Sequence, residues 1–235
     1  MTRPVFYPRP EVVGDTLNVD PALASWDKAG SPGQVRSVAF IAEVHTVVAK
    51  QLVATPDPLA LRLDIGLPDD MPLLAYHDLD NYLFPLVPRL TAGTGRQFVS
   101  VWATKRHAPS SAVAVCRTQA ISDPGGTYSF DVSTTAAADS TAFKEQIRDQ
   151  TSAGRPLPDG GVSLHLAFVV GPRRVWPNLW KATIDSLASV LGRDAEAGPW
   201  NVRDGRITEL GLHCVVNPEA GNRVITAIRA STADR

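Results

Sequence analysis

The chain lacks the features of a secreted, disulfide-bonded or zinc-finger protein. It has only two cysteines, Cys116 and Cys214, and they do not have the CxxC spacing of a zinc or redox site. Two thiols do not make a disulfide framework, so we expect both to be buried and reduced on strands. The N-terminus, MTRPVFYPRPEVVGD, has prolines and charges where a signal peptide needs an unbroken apolar stretch. These absences predict a cytoplasmic protein.

Long hydrophobic runs and a basic surplus are also missing. No stretch approaches the roughly 18 apolar residues that a membrane helix requires, which predicts a soluble chain. With 23 Lys and Arg against 24 Asp and Glu, the formal net charge is −1. Dedicated nucleic-acid binders usually carry a clear basic excess, although charge can also be segregated by face. Glycine-rich phosphate loops, GxSxG and HExxH are absent, so nucleotide-binding and common hydrolase interpretations have no support.

The hydrophobic pattern predicts a helix and strands in the first half of the chain. The 235 residues, 44% of them hydrophobic, suffice for one large domain or two smaller ones. An irregular arm with one short strand at residues 5–7 precedes a helix that begins at Ser31 and ends near residue 52. Strict alternation then predicts a strand over 59–67. A short helix over 82–90 and strands over 98–103 and 112–116 follow, with a loop around 105–111.

A similar order of elements returns in the second half. After a strand at 128–132, the pattern predicts a helix over 140–150, an alternating strand over 162–168 and a helix over 179–191. Strands over 206–216 and 223–228 close the chain. Asn81 and Asn178 hold the same place in this order, at the start of a helix. We therefore expect an α/β (α+β) protein made of two units, 1–122 and 123–235, packed about a pseudo-twofold axis as a pseudo-dimer.

The sharpest local feature is Asp78-Leu79-Asp80-Asn81, between a strand and a helix. Two carboxylates two residues apart in extended backbone share a face and can converge on one cation. Mg²⁺ prefers a few carboxylate oxygens plus water, and phosphodiester hydrolysis commonly uses such an ion. The asparagine could cap the following helix. The alternative is that both aspartates only cap the helix and favour its N-terminal dipole.

These motifs resemble the RusA-type Holliday junction resolvases. That family has the order helix, strand, Asp-x-Asp-Asn, helix with a lysine in its first turn, and a further aspartate that leads into a strand. The first unit matches through Asp78, Asp80 and Asn81, with Phe84 in place of the lysine. The second unit matches through Asn178, Lys181 and Asp204, with Val175 and Pro177 in place of the first two acids. Asp185 and Leu187 are similar to the family's Asp-x-Leu helix. The resemblance covers most of both units, but each copy of the motif is incomplete.

The resemblance implies a Mg²⁺-dependent endonuclease that acts on branched or structured DNA. Its implied metal ligands are Asp78, Asp80 and Asp204, with Lys181 stabilising the phosphate charge or leaving group. This composite site requires Asp204 to lie across the pseudo-twofold axis from Asp78. With at most one complete site, the chain would make one nick, or two chains would pair as a dimer.

Two other interpretations remain open at this point. In the first, both sites have been lost, which would leave a binding module for nucleic acid or protein in a recombination or defence complex. Alternatively, a protein partner supplies the DNA affinity that a near-neutral chain lacks. The basic clusters 105–107 and 173–174 have two interpretations, phosphate contacts or, more commonly, solvated loops. Trp176, Trp180 and Trp200 could stack on unpaired bases, but packing is the more common role. His45, His165 and His213 are expected to be structural.

Overall fold

The computed structural model describes residues 2–23, 28, 30–152 and 154–233. Within them, eight strands form one mixed sheet in the order β1-β4-β2-β3-β7-β6-β8-β5. The strands are β1 Asp15–Thr16, β2 Leu59–Leu67, β3 Phe98–His107, β4 Ala112–Arg117, β5 Tyr128–Thr134, β6 Val162–Val170, β7 Ile207–Val216 and β8 Val224–Thr232. The α-helices are α1 Pro32–Ala54, α2 Leu79–Thr91, α3 Thr141–Gln150, α4 Pro177–Asp185 and α5 Ala188–Leu191. The molecule is thus a mixed α+β fold, and its sheet is continuous across both halves of the chain.

The two halves of the sheet have matching pairings. In the first half, β2 pairs in parallel with β3 and antiparallel with β4. In the second half, β6 likewise pairs in parallel with β7 and antiparallel with β8. Each parallel pair skips one residue of the central strand at the same place. Leu59 pairs with Phe98 and Ala60 with Ser100, while Val162 pairs with Ile207 and Ser163 with Glu209. The serines before α1 and α3 both cap their helices with the side chain.

The halves meet where β3 and β7 pair antiparallel. Trp102 lies opposite Gly211, and two residues away on either side Ser100 pairs with His213 and Thr104 with Glu209. In the matched registers Trp102 and Gly211 occupy corresponding places, and they pair with each other. A Cβ added to Gly211 would lie 3.0 Å from Cη2 of Trp102. The glycine therefore provides the space that the indole fills.

One apolar core joins the helices to one face of the sheet. It includes the alternating side chains of β2 and β6 and the buried sides of α1 to α4. In α1, Phe40, Val44 and Val48 are fully buried, while Val35, Val38 and Val53 are exposed. By length and composition alone this helix could cross a membrane, contrary to the expectation that no stretch of the chain could. Its buried stripe is that of a helix packed on a soluble core.

Most predicted elements are confirmed, with five corrections. The predicted irregular arm contains β1, which pairs with β4. The expected strand at 5–7 is an isolated bridge between Phe6 and Ile121. The helix expected over 82–90 begins earlier, and it contains both Pro85 and Pro88. The helix expected over 179–191 is interrupted between α4 and α5. β3 extends to His107, because it pairs with β2 along its whole length. Of the predicted irregular arm, residues 24–27 and 29 lie outside the described residues.

The other face of the sheet is covered by the N-terminal arm. Arg9 donates to Asp64 at 2.8 Å, and Arg62 donates to the carbonyl of Pro10 at 2.7 Å. Phe6 packs edge-on against His213, which is fully buried. Burial lowers the pKa of His213 well below its ordinary value, so the ring is neutral. Both cysteines are free thiols as expected, although Cys116 is only half-buried.

Candidate active site

The sequence-predicted residues lie at one end of the central β3–β7 pair, on the helical face. The antiparallel pairing places the C-terminal end of β3 beside the N-terminal end of β7. The first turn of α2 follows the loop that ends at Asp78, and α2 packs on α4 and on both central strands. Gly205, just before β7, lies so close to Ala75 that a Cβ would be only 3.0 Å from the alanine Cα. The two halves of the chain therefore contribute jointly to this region.

The acidic motif does not act as a helix cap. Asp78 occupies the N-cap position of α2, but its side chain makes no capping hydrogen bond. Asn81 was expected to cap the helix; instead it lies within the first turn and donates from Nδ2 to Asp78 Oδ2 at 3.0 Å. Asp80 is only 2% exposed, and its Oδ2 is buried with no hydrogen-bond partner. A buried carboxylate oxygen without a partner is costly, so capping does not explain this residue.

The second half of the chain supplies the opposite wall. Lys181 on α4 forms ion pairs with Asp204 and, at 3.2 Å, with Asp185 one turn along the same helix. Lys144 on α3 also pairs with Asp185 at 2.7 Å. The side chain of Lys181 is 43% exposed, whereas those of Asp185 and Asp204 are mostly buried. The ammonium group of Lys181 thus lies at the solvent side of a set of buried acids.

The predicted site included neither Lys105 nor Asp185. Lys105 was placed in a solvated loop, but it lies on β3, is 3% exposed and points toward the helices. Its Nζ donates to the carbonyls of His77 at 2.7 Å and Gly205 at 2.5 Å. These bonds tie the acidic loop of the first half to the turn that carries Asp204. The alternation of β3, continued beyond residue 103, was the signal that could have found this lysine.

Electrostatic coupling joins these side chains into a charged cluster, defined as Asp78, Asp80, Lys105, Lys181, Asp185 and Asp204. Burial raises the pKa of Asp80 to about 7; Lys181 opposes this, and Asp204 and Asp78 reinforce it. Burial and then Asp204 raise the pKa of Asp78. Burial lowers the pKa of Lys105 to about 8, against the pull of Asp78 and Asp204. Burial also opposes the charge on Lys181, but Asp80, Asp204 and Asp185 outweigh it and raise its pKa.

The donor chemistry of the cluster fits a hard divalent cation. Four carboxylates share the site, and one of them has an unpartnered buried oxygen that a cation would satisfy. As the described residues stand, no group of three or more His, Cys, Asp or Glu side chains is arranged to hold a metal ion. The ammonium of Lys181 sits on Asp204, which keeps this carboxylate paired. Lys181 is therefore the group that has to release Asp204 for a cation to bind.

The other candidates lie apart from the cluster or in the core. Trp176 and Trp180 are buried and contact each other edge-on at 4.8 Å. Trp200 is half-buried, and the cationic groups of Lys144 and Arg148 lie 5.8 and 5.4 Å from its ring centre. His165 and His213 belong to the opposite face of the sheet. A comparison with known protein families finds no match for this chain, and a comparison with curated proteins finds none either.

Proposed function

We propose that the chain is a duplicated RusA-like protein that keeps one nuclease site, which nicks branched or structured DNA with the help of a divalent cation. The observation that carries the proposal is the meeting of acids and lysines from both halves in one buried cluster. Asp78 and Asp80 come from the first half, and Lys181 pairs with Asp204 in the second. The matched strand order and the matched skipped residues support the duplication.

In this proposal the aspartates hold the cation, and Lys181 neutralises the charge on the phosphate. Asp78, Asp80 and Asp204 would hold the cation, which would supply Lewis-acid activation of water and of the scissile phosphate. Lys105 fixes the loop of Asp78 to the turn of Asp204 through its two backbone acceptors. Lys181, released from Asp204, would place its ammonium against the negative charge that develops on the phosphate. Asn81 keeps the Asp78 carboxylate oriented.

The second candidate is a binding module without catalysis. It is favoured by the ion pairs that already neutralise Asp204 and Asp185, and by the absence of a ready three-ligand group among the described residues. On that view the lysines serve only to compensate buried acids. The two candidates differ in what a divalent ion does, because only a nuclease site gains cleavage when the ion is added.

A nicking assay decides between these candidates. A supercoiled plasmid that extrudes a cruciform is incubated with the protein, with and without Mg²⁺. The nuclease proposal expects Mg²⁺-dependent nicked circles, loss of nicking in Asp80→Asn, and normal nicking in Asp70→Asn, whose side chain is exposed in the same loop. One site per molecule predicts nicked circles before linear product. Intact plasmid under all conditions would favour the binding module.

A further inference from the structure

A groove runs along α4 from the charged cluster. This α4 groove encloses about 640 Å³, and Lys181 and Asp185 belong both to its lining and to the cluster. Lys144 lines it from α3, and its far end is formed by residues 173–175. Cations outnumber acids along the groove, since Lys144, Arg173, Arg174 and Lys181 face only Asp139 and Asp185. The local balance is therefore basic although the whole chain is nearly neutral.

A second cavity continues the groove at residues 173–175. This arginine cleft encloses about 260 Å³ and lies between the C-terminal half of α2, the residues just before β3 and the loop 172–177. Among the residues that line it, none is acidic. Residues 173–175 line both cavities, so the arginine cleft and the α4 groove are adjacent.

The arginine cleft is the counterpart of the charged cluster in the other half. The backbone N–H of Asn81 donates to the carbonyl of Asp78, and that of Asn178 donates to the carbonyl of Val175, both at 3.1 Å. On this match, Val175 stands for Asp78 and Pro177 for Asp80. The counterpart has thus lost its carboxylates and presents two arginines beside an exposed valine.

The two arginines differ in how they are held. Arg174 donates from Nη2 to the carbonyls of Thr135, Ala136 and Asn222, at 3.3, 3.1 and 2.7 Å, which fixes its guanidinium. Arg173 is exposed and makes no hydrogen bond or ion pair within the part of the chain that the structure describes. Free arginine donors bind phosphate in a bidentate manner, and removal of acids lowers the repulsion that a phosphate would meet.

We propose that the arginine cleft binds the phosphate backbone of a DNA strand that continues through the α4 groove to the charged cluster. The half that lost its acids would then serve as an anchor, with Arg173 as its principal phosphate donor. This inference rests on the proposed function for DNA as the ligand, for the duplication that makes the cleft a counterpart, and for the direction of the strand. The binding itself requires no cleavage.

Fluorescence anisotropy with a labelled four-way DNA junction, in EDTA, tests the anchor. Arg173→Ala is expected to weaken binding roughly tenfold, the loss of one charged hydrogen-bonding group, and to lower the salt slope by about one. Val175→Asp, also at an exposed position, should weaken binding by placing a negative charge against the phosphate. Arg36→Ala, an exposed arginine on α1, is the matched control and should bind as the unmodified chain does.

The outcomes separate this inference from the proposed function. Weaker binding in Arg173→Ala and Val175→Asp supports the anchor, even if the plasmid is never nicked and the nuclease proposal fails. Unchanged affinity and salt slope in both variants, with folding verified by circular dichroism, overturns the anchor whatever the nicking assay shows.

Discussion

Replacing Asp80 by asparagine should stabilise the protein while it abolishes nicking. The carboxylate is buried, one of its oxygens has no partner, and its pKa is raised from 3.8 to about 7. A rise of this size corresponds to about 4 kcal/mol against the charged form. The asparagine amide must itself find hydrogen bonds in the same place, which offsets part of the gain. We therefore expect the free energy of unfolding to rise by about 1–3 kcal/mol at pH 8.

The stabilisation by Asp80→Asn should depend on pH with a defined sign. Because the folded pKa is above the unfolded one, the folded state takes up a proton between pH 3.8 and about 7 that the unfolded state does not bind. The wild-type penalty is therefore complete above pH 7 and disappears near pH 4. The difference in unfolding free energy between variant and wild type should grow over this range and then level off.

Urea unfolding in EDTA at several pH values measures this difference, with Asp70→Asn as the exposed control. Thermal melts with Mg²⁺ provide the second measurement, since a bound cation should raise the Tm of the wild type but not that of Asp80→Asn. A variant that is less stable than the wild type at pH 8 would falsify the view that this carboxylate is held at a cost. Equal Mg²⁺ shifts in both proteins would remove Asp80 from the cation site.

Three further perturbations test the packing of the sheet and of its connections. Burial lowers the pKa of His165 from 6.5 to about 4, so the unfolded chain binds a proton in this range that the folded one does not. As the pH falls from 6.5 to 4, the wild type should therefore lose up to about 3 kcal/mol of stability relative to His165→Gln, measured by urea titration. Arg206→Lys should lower the free energy of unfolding by roughly 3 kcal/mol, because the buried guanidinium donates to four backbone carbonyls that a lysine cannot satisfy together. The control Arg203→Lys, at an exposed position, should change it little. Gly211→Ala should destabilise the protein by about 1–3 kcal/mol through overpacking against Trp102. In a Trp102→Leu background the same substitution should cost much less, and calorimetry of the single and double variants measures this difference.

The elements with strong periodicity could be predicted from the sequence. Alternation over nine residues defined β2, and the apolar spacing defined α1 almost to its ends. Pro85 and Pro88 obscured α2, but the helix tolerates them because tertiary packing of Tyr82, Leu86 and Leu90 compensates for the lost hydrogen bonds. A local hydrophobic pattern predicts an element best when the element buries only one of its faces.

Predicting the site was harder, because its residues meet through long-range pairing. The motif pointed to Asp78 and Asp80, but nothing near them in sequence indicates that Lys105 and Asp185 lie beside them. Lys105 became part of the cluster only through the full register of β3 against β2, which turns its side chain toward the helices. Because charged residues are mostly exposed, a strand end that carries them is predicted as a solvated loop unless its pairing is known.

The distribution of the retained residues argues for one selected site rather than two decayed ones. If the halves are copies, each end of the β3–β7 pair would have carried the same six side chains, drawn from both copies. At one end all six members of the charged cluster are present. At the other end the matched positions hold only uncharged residues: Val175, Pro177, Phe84, Pro88, Gly95 and Cys214. Independent loss at two ends would leave some charged residues at each, and isolated buried charges without partners would destabilise both. This difference between the two ends is the pattern that the proposed single site predicts.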